Sequence, residues 1–334
     1  MRFGVFIPQG WRFDLVGVPD ADQWPLMRSL AQHADRVEGW ESLWVYDHFH
    51  TTPVPSEEAT HEAWTLMSAF AATTDRVRLG QMCTCMAYRN PGYLAKVAAT
   101  VDHVSGGRLE MGIGAGWYEH EWRAYGYGFP EAKERLGRLR EGVQIFQQAW
   151  TTGRATLDGT YYQADDLIVR PLPLQRTSAR NNIPIWIAGG GEQVTLRIAA
   201  TYADYTNFDG SAEGFAHKSE ILAAHCSKLG RDLDEITRSA NYNVVVGATE
   251  AEVAERLAEY RDRLATSIGE AAAAEYHRRT TTQGLVGTPE QIVEALRARE
   301  ALGMTYAITY FPLSAYDLSS QELFETQVIP ELSA

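Results

Sequence analysis

Short apolar runs alternate with longer stretches whose apolar positions recur at helical spacing, from the first residues of the chain to the last. The first run is Phe3 to Ile7. After it, Leu26, Leu30, Ala34 and Val37 fall on one face of a helix that starts near Asp20 and stops at Gly39. Ser42 to Tyr46 reads as the second strand, a helix follows over Glu62 to Thr73, and Val77 to Thr84 reads as the third strand. Pro91 opens a helix that ends at Gly106-Gly107, and Leu109 to Ile113 is the fourth strand. Leu136, Leu139, Val143, Phe146 and Trp150 mark a long amphipathic helix. Four more strands are predicted at Ile185–Ala188, Asp204–Phe208, Tyr242–Val246 and Tyr306–Phe311, with helices at about 214–229, 250–264 and 289–302.

Strands that alternate with helices predict repeated βα units and a parallel sheet. Eight such units fit a closed (β/α)8 barrel better than an open doubly wound sheet. A barrel needs about 250 residues, so the 334 residues leave room for insertions. One is predicted near 153–182, where Gly159-Thr-Tyr-Tyr162 and Leu167-Ile-Val169 read as a hairpin, and a second near 265–286. No shift in composition divides the chain, so the whole of 1–334 is expected to be one barrel domain.

The balance of 30 basic against 43 acidic residues gives a formal net charge of −13, and phosphate-backbone binding needs clustered Lys and Arg. A nucleic-acid surface is therefore not expected. The longest stretch without a charge, Ala301 to Tyr316, is short, polar and broken by Pro312, so no membrane span is expected. The start of the sequence shows no signal-peptide core, and a cytoplasmic location is the expectation. Cys83, Cys85 and Cys226 are too few and odd in number for a disulfide framework.

Active sites of such barrels lie at the C-terminal ends of the strands. That rule selects Asp47-His48, the Met82–Cys85 segment, Gly112-Ile-Gly-Ala-Gly116, Gly189-Gly190-Gly191 and Asn207. An imidazole at a strand end serves as acid or base near neutral pH, though an Asp-His pair is more often a structural hydrogen bond. Three glycines before a helix predicted to begin near Glu192 offer backbone amides and close approach to a phosphate or ring carbonyl. The glycines of 112–116 lack the dinucleotide-binding spacing and are weak alone. His48 and His50 could share a metal, but the later strand ends supply no further ligand set, so no metal is expected.

Taken in order, several motifs resemble the luciferase-like flavin and deazaflavin oxidoreductase superfamily. They are Ser42-Leu-Trp-Val-Tyr-Asp-His48, Val77-Arg-Leu-Gly80, Tyr88-Arg-Asn-Pro91, Asp102-His-Val-Ser-Gly-Gly-Arg-Leu109, Gly112-Ile-Gly-Ala-Gly-Trp117 with Glu121, Ile185-Trp-Ile-Ala-Gly-Gly190 and Gly287-Thr-Pro-Glu-Gln291. Within it the chain is most similar to the branch that uses the deazaflavin coenzyme F420. The resemblance implies hydride transfer between F420 and a small organic substrate, with His48 as acid/base and Asp47 beside it in the pocket. It also implies a non-prolyl cis peptide at Met82–Cys83 behind the coenzyme ring, with Thr84 next to it. Ala115, Gly116 and His120 would contact the coenzyme after the fourth strand, and Ala188, Gly189, Gly190, Gly191, Glu192 and Gln193 would hold its ribityl-phosphate part.

Relatives that oxidise a sugar phosphate carry a glutamate where this chain has Trp117, and a tryptophan a few residues after the Asp-His pair where it has His50-Thr51-Thr52. An aromatic or otherwise hydrophobic substrate is therefore expected. Lys218, Arg278 and Arg279 are candidates for the coenzyme's polyanionic tail. The resemblance further implies a homodimer and a separate reductase that regenerates the coenzyme. Two alternatives stay open: an FMN-dependent monooxygenase on the same barrel, and a protein that binds such a cofactor without catalysis.

Overall fold

The computed structural model describes residues 1–175 and 182–332. Its strands, in chain order, are β1 (Arg2–Phe6), β2 (Trp40–Val45), β3 (Arg78–Gln81), β4 (Thr84–Cys85), β5 (Leu109–Gly114), β6 (Arg154–Asp158), β7 (Gln163–Ile168), β8 (Ile185–Ala188), β9 (Tyr205–Phe208), β10 (Thr237–Val246), β11 (Leu285–Gly287) and β12 (Tyr306–Tyr310). Parallel pairing runs β12-β1-β2-β3-β5-β8-β9-β10, and β10 pairs back onto β12, so the sheet closes on itself. The fold is the predicted eight-stranded (β/α)8 barrel, with β11 added outside it on the far half of β10.

Local signals set the helix ends. Asn90 caps the helix Pro91–Val104 by accepting from the Gly92 and Tyr93 amides, with Pro91 in the first turn where its missing N–H costs nothing. Helix Ala132–Thr152 stops at Gly153, whose φ of 81° is left-handed. Thr288 and Gln291 form a reciprocal capping box at the start of Pro289–Glu300.

Interdigitating aromatics fill the barrel interior. Trp44 and Trp186 meet edge to face at 4.7 Å between ring centres, and Trp186 stacks on Tyr205 at 4.1 Å. Small residues in the wall make room: a Cβ on Gly80 would come within 2.3 Å of the Trp44 ring. The interior also holds a charge. Glu110 is buried, bonds the Trp186 indole N–H at 2.6 Å and pairs with Arg78.

Three predicted elements are displaced. The third strand does not run unbroken to Thr84, because the chain bends at a cis Met82–Cys83 peptide between β3 and β4. The seventh barrel strand begins at Thr237, not Tyr242; its first half carries Arg238, Ser239 and Asn241, which hide it from a search for apolar runs. Gly159–Tyr162 is the turn of the β6–β7 hairpin and not one of its strands. The Glu141 carboxylate accepts the amides of Thr160, Tyr161 and Tyr162 at 2.8–3.0 Å and pins that turn. Residues 176–181 of the insertion expected near 153–182 lie outside the described residues, as do 333 and 334. The region expected as an insertion near 265–286 is the end of helix Glu250–Ile268, a further helix Glu270–Gln283 and β11. Among the described residues no helix is long and apolar enough to cross a membrane, and no group of His, Cys, Asp or Glu is arranged to hold a metal.

Candidate active site

The C-terminal mouth of the barrel contains two adjoining cavities, of about 130 and about 400 Å³, that share Trp11, Tyr46 and Trp117. The smaller one is lined by Asp47, His48, Met82, Cys83 and Gly116 among the predicted site residues. β2 delivers Asp47 and His48, and the bend after β3 delivers Met82 and Cys83.

Glycines seat that bend. A Cβ on Gly112 would lie 1.8 Å from the Gln81 carbonyl, and one on Gly114 would lie 2.6 Å from Cys83 Sγ. Gly116, at φ 78°, fits against Cys85 Sγ and the Trp122 ring. These three glycines are packing devices under the pocket floor.

His48 is a buried side chain with a defined orientation. Its Nδ1 lies 3.1 Å from Glu121 Oε2, and its ring stacks on Trp11 with 4.6 Å between centres and 16° between planes. Trp117 meets it edge-on at 5.9 Å. Glu121 is fully buried, and three donors converge on it: His48 Nδ1, the Phe49 amide at 2.6 Å and the Tyr88 hydroxyl at 2.9 Å. Burial by itself would raise the Glu121 pKa, but the bonds from His48, Phe49 and Tyr88 outweigh it and hold the carboxyl below its ordinary value. An ionised Glu121 accepts only, so the His48 proton stays on Nδ1 and Nε2 is left as the free basic nitrogen. Burial pushes the Tyr88 hydroxyl upward, with Cys85 and Glu121 adding to it, so it stays a donor.

Asp47 is placed differently. Arg89 grips both its oxygens, Nη1 to Oδ2 at 2.7 Å and Nη2 to Oδ1 at 2.9 Å, and the Cys85 amide adds 2.9 Å to Oδ2. Burial would lower the Arg89 pKa, yet Asp47 and Glu62 reverse that and raise it. The bidentate pair ties β2 to the segment after the cis peptide. Burial, with the Asp47 charge added, pushes the Cys83 thiol up to about 12.

The other predicted residues spread out. Thr84 is buried and donates to Gln81 Oε1 at 2.7 Å. Ala115 packs on the main core. His120 stands at the rim, its Nδ1 3.2 Å from His50 Nε2, and does not line the cavity. Ala188 ends β8, and the Gly189 amide bonds the Asn207 carbonyl at 2.9 Å. The helix beyond begins at Thr195 and not near Glu192, which turns Gln193 outward into a groove with Arg140 and Arg197. Gly190 and Gly191 make no backbone hydrogen bond through their amides among the described residues. The Lys218 stem would touch a Cβ on Gly190 at 3.3 Å, and its ammonium pairs with Glu192 at 2.6 Å beside His217. Free amides, an open glycine and a nearby cation fit a phosphate group.

Sequence reasoning missed Trp11, Arg12, Tyr88 and Arg89 and gave Glu121 no role. Glu121 follows His48 by 73 residues and meets it only when β5 docks near β2, so no local spacing announces the pair. The available signal was its place four residues after Trp117 in the loop following a barrel strand.

Residues 1–306 match the family model of the luciferase-like monooxygenases. The chain belongs to that family. Within the range of this family's known relatives, it is 35% identical to an F420-dependent glucose-6-phosphate dehydrogenase of Amycolatopsis mediterranei over 173 residues, so the match spans about half of each protein (50% of this chain, 49% of that one). It is 27% identical to an FMNH(2)-dependent dimethylsulfone monooxygenase of Pseudomonas putida, over 85% of this chain and 82% of that one. The coenzyme F420 dependent tetrahydromethanopterin reductase of Methanopyrus kandleri superposes with a TM-score of 0.76 at 19% identity, over 99% of each chain. That last likeness concerns the fold.

Proposed function

We propose that this protein is an F420-dependent oxidoreductase acting on a small substrate with an aromatic or otherwise apolar body. The observation that carries the proposal is the His48–Glu121 pair: an imidazole with one nitrogen fixed by a buried carboxylate and the other free, in an aromatic cavity above the Met82–Cys83 bend. Bound F420 supplies hydride transfer at its ring. The chain supplies position and a proton carrier. The Gly190 and Gly191 amides with Lys218 would hold the phosphate, Met82 and Cys83 would support the ring, and His48 Nε2 would give or take a proton at the substrate. Asp47 acts as a positioning residue through Arg89 and Cys85. Similarity to F420-dependent dehydrogenases supports the choice of coenzyme. The apolar lining by Trp11, Tyr46 and Trp117 supports the choice of substrate body over a sugar phosphate.

A second reading, an FMN-dependent monooxygenase, is supported by the similarity to the dimethylsulfone enzyme over most of the chain. Titration of the purified protein with F420 and with FMN separates the two. The proposal expects F420 to bind at least tenfold more tightly than FMN, and Lys218→Ala to weaken F420. Tighter FMN binding moves the protein to the monooxygenases. Binding of neither overturns both readings.

A further inference from the structure

The larger cavity contains a cation that none of the chemistry above uses. Arg12 follows β1, and its guanidinium carbon lies 4.7 Å from the centre of the Tyr310 ring, 4.8 Å from Trp11 and 5.7 Å from Tyr46. Such a cage holds a guanidinium and leaves its planar edge for an acceptor. One nitrogen, Nη1, donates to Asn243 Oδ1 at 2.6 Å. Nε is buried and has no acceptor. Among the described residues no carboxylate stands within 4 Å of the guanidinium. The carboxylate of Asp14, two residues on, is turned elsewhere: Oδ1 takes the Gly10 amide at 2.6 Å and Oδ2 the Tyr310 hydroxyl at 2.9 Å.

A partly buried guanidinium with neutral partners is costly unless something brings it an acceptor. The cavity wall around it is polar on that side, with Asn241, Asn243 and Gln283, and a second guanidinium, Arg279, borders the same space while paired with Glu275. Trp11 connects the two halves of the mouth, because His48 and Arg12 both rest on its indole. A molecule that places its reacting carbon beside His48 therefore reaches Arg12 along one aromatic surface.

We infer that the substrate carries a carboxylate, bound edge-on by the Arg12 guanidinium, with its apolar body lying along Trp11 toward His48. This rests on the proposed catalytic role of the mouth and adds the charge of the substrate to it. The coenzyme's own polyanionic tail has the same chemistry. Position favours the substrate: Arg12 is fixed between Asn243 of β10 and Tyr310 of β12, whereas the glycine loop follows β8, two strands from β10 and three from β12.

The test is calorimetric titration of the protein without coenzyme, using cinnamate and its neutral isostere cinnamamide as probes. Wild type is expected to bind cinnamate at least tenfold more tightly than the amide. Arg12→Gln should abolish that preference, and Arg12→Lys should keep part of it. Asn243→Asp, which sets a permanent counter-charge against Arg12 without removing it, should abolish the preference as well and guards against misfolding of the Arg12 variants. Equal binding of acid and amide by wild type, no binding of the acid, or a preference that survives both Arg12→Gln and Asn243→Asp overturns the inference. So does a loss in Arg12→Gln of affinity for F420 but not for the same deazaflavin without its tail, which would assign the guanidinium to the coenzyme. None of the cinnamate measurements involves a coenzyme, so their failure is distinct from failure of the F420 titration.

Discussion

Replacing Glu121 by Gln changes one buried oxygen to an amide nitrogen and leaves the shape of the side chain alone. The wild-type carboxylate accepts three hydrogen bonds: 2.6 Å from the Phe49 amide on Oε1, and 2.9 and 3.1 Å from Tyr88 and His48 on Oε2. In Glu121→Gln, Oε1 keeps the Phe49 bond and Nε2 of the new side chain faces His48 and Tyr88. An NH₂ group cannot accept, so His48 Nδ1 must accept a hydrogen bond from it, and the imidazole proton moves to Nε2. Two bonds to a charged acceptor are lost and one neutral bond is gained. Hydrogen bonds to charged groups contribute about 1.5–3 kcal/mol each and neutral ones about 1, which puts the net cost at roughly 2–5 kcal/mol. At about 2 °C per kcal/mol for a chain of this size, thermal unfolding should fall by roughly 4–10 °C. Nitrogen-15 NMR of the imidazoles reads the tautomer directly: protonated Nδ1 and bare Nε2 for His48 in wild type, the reverse in Glu121→Gln. Acid titration adds a sign. The Glu121 pKa is held below its unfolded value of about 4.3, so its stabilisation is complete above that pH and is lost as pH falls through the folded value. The stability gap between wild type and variant should therefore begin to close as pH falls below about 4.3 and go on closing as pH falls through the lower folded value. The same tautomer in both proteins, or a gap constant with pH, would refute the assignment of Glu121 as the residue that sets His48.

Asp47→Ala removes the buried partner of Arg89 and leaves it only Glu62, and should cost about 1–3 kcal/mol in urea denaturation; the double change Asp47→Leu with Arg89→Met should recover part of it. Gly114→Ala drives a methyl to within 2.6 Å of Cys83 Sγ and should cost about 1–3 kcal/mol, measured by thermal melting. The same substitution should weaken coenzyme binding, because the displaced segment is the pocket floor. Cys83, with its thiol pushed up to about 12, is almost wholly protonated at pH 8, so iodoacetamide should alkylate it at least a hundredfold more slowly than free cysteine of pKa about 8.5. Fast labelling mapped to Cys83 by mass spectrometry would contradict the uncharged thiol.

Features encoded within a few neighbouring residues were legible in the sequence, and those assembled across the barrel were not. The helix Pro91–Val104 carries its own start in Asn90-Pro91, and the barrel follows from eight alternations of apolar run and helix. The bend at Met82–Cys83 was expected only through the family resemblance, since no local property of Gln-Met-Cys-Thr marks it. The missed start of β10 has a physical cause as well. Residues 237–243 of a barrel strand need an apolar side only where they face the packed interior, and near the mouth Asn241 and Asn243 face a cavity. A polar strand end in a barrel is therefore a sign of a site, and the rule that looks for apolar runs discards it.

That inversion explains why the two carboxylates of the site look alike in sequence and act differently. Asp47 adjoins His48 in the chain just beyond β2, and both line the smaller cavity, yet Arg89 grips Asp47 while His48 lies against Trp11. The imidazole finds its carboxylate in Glu121, on the short helix Glu119–Ala124 that follows β5, two barrel strands from β2. A tightly spaced Asp-His dipeptide is therefore poor evidence for a catalytic pair, since each of the two side chains takes its partner from elsewhere in the fold. Proximity across parallel strands brings such groups together, as it does for Arg12 with Asn243 and Tyr310 at the opposite side of the same mouth.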